Sequence, residues 1–211
     1  MFTPRPNARR RCRAFTGLEL VVLVAVLMTV YLVFMRKKKG GQAQARRLEC
    51  VNQLKGLGQT MGTWSADHRG HYPLHTSTNL GGTAEFVGQN AIAWHIHAWS
   101  NWVVSPITLA CPGDNRPPAT SLTSLTDDSI SYFFNADADP ANPRLIMAAD
   151  RNITTNTAAL VPGWRDMRSG EVIRWTASIH KLQGNAAMGD GSVHAWTQYR
   201  VGNPPEHWGI P

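Results

Sequence analysis

The chain has 211 residues and a formal net charge of +7, a length that suits one domain with appendages. Eleven of its 21 Lys and Arg residues fall before residue 48; from Leu48 onward 10 basic residues face 13 acidic ones, a net of −3. The basic character belongs to the N-terminal flanks, where it would attract anionic lipid headgroups. The folded part lacks the excess of basic residues that a nucleic-acid-binding face needs.

The first predicted element is the run Phe15–Met35, 21 residues that are apolar apart from the single carboxylate of Glu19. At about 1.5 Å per residue a helix of this length spans roughly 31 Å, one bilayer core, which predicts a transmembrane helix over 15–35. The run ends "LVFMRKKK" without a small-x-small cleavage site, which argues against a secretory signal peptide. Cys12 precedes the run, whereas a lipoprotein cysteine would follow it. A carboxylate at the centre of a membrane helix costs on the order of 2.5–3.5 kcal/mol, and less towards an end. Glu19 therefore either snorkels to the interface or meets a cation. A cut between Ala14 and Phe15 would create such a cation: a new α-amine, with an ordinary pKa of about 7.7–8.0. Glu19 could neutralise it within its own chain or in an axially shifted neighbour, which would set the register between subunits. Five basic residues precede the run and six follow within twelve positions, so charge asymmetry does not orient it.

After Arg36–Lys39, the pair Gly40-Gly41 predicts a helix break. Residues 42–66 then predict an amphipathic helix, with Cys50, Leu54, Leu57, Met61 and Trp64 recurring at intervals of 4, 3, 4 and 3. "DHRGHYP" (67–73) ends it. Strands are predicted over 130–135 ("ISYFFN"), 144–150 ("RLIMAAD") and 171–179 ("EVIRWTASI"). A hairpin is predicted over 185–199, turning at Asp190-Gly191. Residues 76–92 and 112–128 read as loops, and 90–104 fits helix and strand equally. A long helix followed by a small antiparallel sheet is an α+β arrangement.

Among reactive side chains, Cys50 and Cys111 would pair in an oxidising compartment and otherwise be buried thiols. His95 and His97 would share a face on a strand, as two zinc ligands do, and His68, His71 and His75 form a second loose group. Neither set is completed by a spaced Cys/His or Glu/His partner, so scattered core and surface histidines are expected. His180 and Asp190 are expected to play structural parts, the imidazole tying a loop to the hairpin, because a tight turn favours Asp for backbone reasons.

Two sets of motifs carry a family resemblance. "RAFTGLELVVLVAV" resembles the N-terminal signal of type IV pilins and type II secretion pseudopilins. On that resemblance Ala14 and Phe15 flank the prepilin peptidase cut, Phe15 is N-methylated, and Thr16, Glu19 and Leu20 match the pattern. Ala14 stands where the family prefers Gly, and Gly17 where a bulky apolar residue is usual. Further on, "CVNQLKGLG" (50–58), "CPGD" (111–114), "SYFFN", "MAAD" and the His180-x9-Asp190-Gly191 spacing are similar, in order, to prepilin-like proteins of the planctomycete type. The resemblance implies a leader over 1–14, a transmembrane helix over 15–35, a basic flank and amphipathic helix over 36–66, and a pilin-like globular domain over 67–211. It further implies an inner-membrane, single-pass protein with a cytoplasmic N-terminus and a periplasmic or extracellular domain. The expected partners are other pilin-like subunits, the prepilin peptidase and secretion or pilus machinery. No catalytic role and no nucleic-acid partner are expected. Major pseudopilins bind calcium, which makes Asp137, Asp139, Asp150 and Asp190 candidate oxygen ligands. The rival class is a membrane-anchored periplasmic enzyme or ligand-binding protein that uses the helix as a tether.

Overall fold

The computed structural model describes residues 17–103, 105–155, 160–202 and 206–211, with only the backbone described for 36–40. The leader and the predicted cut between Ala14 and Phe15 lie outside these residues. The first helix, α1 (Gly17–Asp67), runs for 51 residues. The break predicted at Gly40-Gly41 is thus corrected. Two glycines cost about 1 kcal/mol each relative to alanine, but they sit between good helix formers (Arg36–Lys39 and Gln42–Gln44), and no proline removes a backbone hydrogen bond.

The chain divides into two compact units, Met1–Gln42 and Ala43–Pro211. The described part of the first is helix alone. Every side chain from Gly17 to Met35 is exposed, Leu18 at 76 % and Phe34 at 63 % among them. So much contiguous apolar surface is unfavourable in water and calls for lipid or other helices. Gly17–Met35 is long and apolar enough to cross a bilayer, a test that a signal sequence near an N-terminus also passes. Glu19 falls in the first turn of the described helix.

The second unit is built on the rest of α1. Its predicted stripe is buried in full: Cys50, Leu54, Leu57, Met61 and Trp64 are at most 8 % exposed. The strands are β1 (Tyr132–Asn135), β2 (Ile146–Asp150), β3 (Ile153–Thr155), β4 (Gly163–Met167), β5 (Val172–Trp175), β6 (Gly184–Met188), β7 (Val193–Trp196), β8 (Gln198–Arg200) and β9 (Glu206–Ile210). Six form one sheet in the order β4-β9-β1-β2-β6-β7 and three form another, β3-β5-β8. Every pairing is antiparallel. The class is therefore α+β.

Strand alternation explains how the layers stack. Tyr132, Phe134, Ala148 and Ala187 point to the side of the large sheet where the α1 stripe packs. Phe133, Ala149, Ala186 and Met188 point to the other side and meet Ile153, Ile173 and Trp175 of the small sheet. The predicted hairpin is β6–β7. Asp190 shapes its turn by accepting a hydrogen bond from the Ser192 backbone N–H at 2.8 Å, and Gly191 supplies the left-handed φ of 79°. The "CVNQLKGLG" segment and this turn approach closely: a Cβ on Gly58 would lie 3.3 Å from the Gly191 Cα.

Several elements differ from expectation. Within the segment that fitted helix and strand equally, Ile92–Ala98 forms a short helix, α2, followed by a 3-10 turn over Ser100–Trp102. Only Val172–Trp175 of the third predicted strand is extended, and a second short helix, α3 (Ala177–His180), follows. The end of the predicted hairpin leaves as β8 to join the small sheet. Strands β3, β4 and β9 were not expected. In β9 the carboxylate of Glu206 is 1 % exposed and accepts hydrogen bonds from Asn135 Nδ2 at 2.7 Å, Trp208 Nε1 at 3.1 Å, Tyr199 OH at 3.1 Å and the Gly202 N–H at 3.2 Å. Four donors compensate for burying the group.

Candidate functional site

Local structure carries four separated segments to one place at the α1 side of the sheet. Cys50, on the α1 stripe, is joined to Cys111 by a disulfide with a Cα–Cα distance of 5.2 Å. Cys111 opens the "CPGD" turn, in which the Gly113 N–H points at Cys111 Sγ at 3.3 Å. Asp114 of the same turn holds Arg151 in a two-point ion pair, Nε–Oδ2 at 2.7 Å and Nη2–Oδ1 at 2.8 Å. This pair ties the turn to the end of β2, where Asp150 is completely buried.

The fourth segment brings His180. It ends α3, and the next two residues, Lys181 and Leu182, both have left-handed backbones with φ of 53° and 67°. Non-glycine residues pay roughly 1–2 kcal/mol each for this conformation. The double reversal turns the chain from α3 into β6 and leaves His180 facing inward, 8 % exposed. Its Nε2 lies 3.3 Å from Cys111 Sγ and 3.6 Å from Asp150 Oδ2. Gly113 makes room for the ring, since a Cβ there would fall 2.9 Å from His180 Cε1. Asp150 Oδ2 also accepts the Asn185 backbone N–H at 2.7 Å and Asn185 Nδ2 at 3.0 Å. Arg47 of α1 completes the surround, with Nε 3.5 Å from Asn185 Oδ1 and its guanidinium against Gln183.

Burial governs the protonation of this pair. Desolvation pushes Asp150 up to about 7, against the pull of Asn185 and Arg47. Desolvation, with Arg47 adding to it, holds His180 down to about 4. Near pH 6 the pair therefore holds one proton between a neutral imidazole and a protonated carboxyl. Beside it opens a cleft of about 500 Å³, lined by Arg46, Arg47, Gly113, His180, Lys181 and Gln183 among others. The cluster can lock α1, the "CPGD" turn, β2 and β6 together. Asp150 itself has no access to solvent.

Other candidate residues lie elsewhere. His180 pairs with Asp150, and Asp190 serves its own turn. The four candidate calcium ligands do not converge: Asp150 is in the cluster, Asp190 in the turn, Asp137 2.5 Å from the His207 backbone N–H, and Asp139 beside His71. Each is engaged by a local donor. His95 and His97, which a strand would align, are separated by the helical turn of α2: His95 is buried against Thr83 Oγ1 at 2.9 Å and His97 is exposed. Burial holds His95 down to about 4. The meeting of Asp150 with His180 was missed from sequence, where the only signal was that both residues fell in recurring motif segments.

No family model, no curated protein and no solved structure matches this chain.

Proposed function

We propose that this protein is a pilin-like structural subunit of the inner membrane. It is inserted once with its N-terminus in the cytoplasm, cut by a prepilin peptidase between Ala14 and Phe15, and N-methylated on Phe15. The subunit then joins others of its kind, through helix packing, in a type II secretion pseudopilus or a type IV pilus-like fibre. Glu19 sets the axial register by neutralising the new α-amine. The disulfide and the His180–Asp150 pair hold the domain rigid under load.

The observation that carries this reading is the uninterrupted helix α1. Its first part is apolar and exposed on all sides with one acid near its start, and its second part supplies the core stripe of an antiparallel domain. A simple tether needs neither the acid nor continuity into the core.

Mass spectrometry of the protein purified from its own membrane is expected to find an N-terminus at Phe15 carrying one added methyl. An intact Met1, or a cut elsewhere, overturns the proposal. Glu19→Ala is expected to leave insertion intact and to abolish recovery of the subunit in sheared fibres. Undiminished assembly of that variant would remove Glu19 from the mechanism.

A further inference from the structure

At the end of α1 the segment "DHRGHYP" wraps onto the large sheet. Tyr72 anchors it, 4 % exposed, with its hydroxyl donating to the Gly189 carbonyl at 2.8 Å. Pro73–His75 then forms a 3-10 turn, in which the His75 N–H donates to the Tyr72 carbonyl at 2.9 Å. This anchoring leaves His71 and His75 exposed on either side of a buried Tyr-Pro-Leu, with ring centroids 5.5 Å apart. The third party comes from the loop after β1. Asp139 is 2 % exposed, with Oδ1 accepting the Ala141 N–H at 2.9 Å and Oδ2 lying 2.7 Å from His71 Nδ1. One donor atom from each of His71, His75 and Asp139 lies within 4.8 Å of the other two.

The geometry points to a divalent transition-metal site formed by His71, His75 and Asp139, of the zinc type. Donors around a tetrahedral ion with bonds of about 2.1 Å stand roughly 3.4 Å apart. His71 Nδ1 and Asp139 Oδ2, now hydrogen-bonded at 2.7 Å, exchange that bond for the ion by a small rotation of the exposed His71 ring, and the exposed His75 ring turns to supply the third donor. Two imidazoles and one carboxylate suit zinc, cobalt or nickel and do not suit calcium, which takes oxygen ligands in larger number. Asp139 thus belongs to a nitrogen-rich site and not to a calcium site. The hydrogen bond from Ala141 orients the carboxylate, and Tyr72 with the 3-10 turn orients the imidazoles. This is the preorganisation that outer partners supply at metal centres. The two histidines are exposed, which leaves further coordination positions for water or for a side chain of another molecule.

The test is a calorimetric titration of Zn2+ alone into the full chain in detergent micelles, purified without a histidine tag, with Co2+ absorption as a second readout. The expected result is one saturable site per chain and visible Co2+ bands. His75→Ala and His71→Ala should each weaken binding about 10-fold or more. His194→Ala should leave it unchanged, and a tenfold excess of Ca2+ should not compete. Both histidines are exposed, so their replacement leaves the core intact. The inference is overturned by absence of saturable Zn2+ binding, by native affinity in His75→Ala or in His71→Ala, by a loss in His194→Ala, or by competition from Ca2+. None of these outcomes depends on cleavage at Ala14 or on fibre assembly.

Discussion

Replacing both Cys50 and Cys111 by alanine is expected to cost the folded domain about 4 kcal/mol. The two cysteines are 61 positions apart in sequence, and cross-linking a loop of that size removes chain entropy from the unfolded state worth about 4 kcal/mol at 25 °C. Domains of this kind are commonly stable by only about 5–15 kcal/mol, so the loss is a large share of the whole. The bridge also positions its surroundings, since Cys111 contacts His180 and Cys50 sits at 0 % exposure in the α1 stripe. Urea denaturation of the full chain in detergent should show the double variant and the reduced native protein shifted to similarly low midpoints. A change under about 1 kcal/mol would mean that packing of α1 on the sheet, without the cross-link, holds the domain together.

The second large effect concerns pH. Between about pH 4 and 6.5 the intact pair is expected to contribute little slope to stability, whereas His180→Gln is expected to lose stability steadily as pH rises. Asp150 is raised from 3.8 to about 7 in the folded chain, so the folded state keeps a proton that the unfolded state releases. That contribution is complete below pH 3.8 and is lost as pH rises towards 7. His180 is lowered from 6.5 to about 4, so in the same window the unfolded state holds a proton that the folded state lacks, and its effect on stability improves as pH rises. Each slope is about 1.4 kcal/mol per pH unit, and their signs are opposite. They cancel in the native protein because folded and unfolded pair each carry one proton. In His180→Gln only the Asp150 slope remains, about 2–3 kcal/mol lost between roughly pH 4.5 and 6.5. Asp150→Asn should show the reverse trend. Denaturation series at constant ionic strength give the comparison, and parallel pH profiles for native protein and His180→Gln would show that the pair does not titrate as described. Arg47 and Asp114 act on both groups and are common to all three proteins.

What could be read in the sequence was what repeats locally. The stripe from Cys50 to Trp64 follows the helical period, and each of its members is buried. "YFFN" and "IMAAD" are apolar runs of strand length, and both are strands. Asp190-Gly191 marks the tight turn because one residue must accept a left-handed φ and its neighbour can bond its own backbone. The apolar run and its lone acid were equally plain, since length and polarity are properties of the stretch itself, and Gly17–Met35 is helical throughout. Gly40-Gly41 misled because intrinsic propensity is a weak influence beside the cooperativity of a long helix.

Tertiary structure decided what depends on partners distant in sequence. Strand β9 was hidden because Glu206 looks like a surface residue until Asn135, Tyr199, Gly202 and Trp208 supply its donors. β4 was hidden because "GWRDM" has no clean alternation, its place being set by pairing with β9. Nothing local distinguishes His180 paired with Asp150, 30 positions away, from His180 paired with Asp190. Nor could "DHRGHYP" announce Asp139, since only the packing of Tyr72 on Gly189 brings that loop beside the two histidines. Periodicity and turn chemistry are properties of a short stretch of chain and are written in it. The environment of a buried charge is a property of the folded whole, because its cost or gain is set by groups that the fold alone brings within about 4 Å.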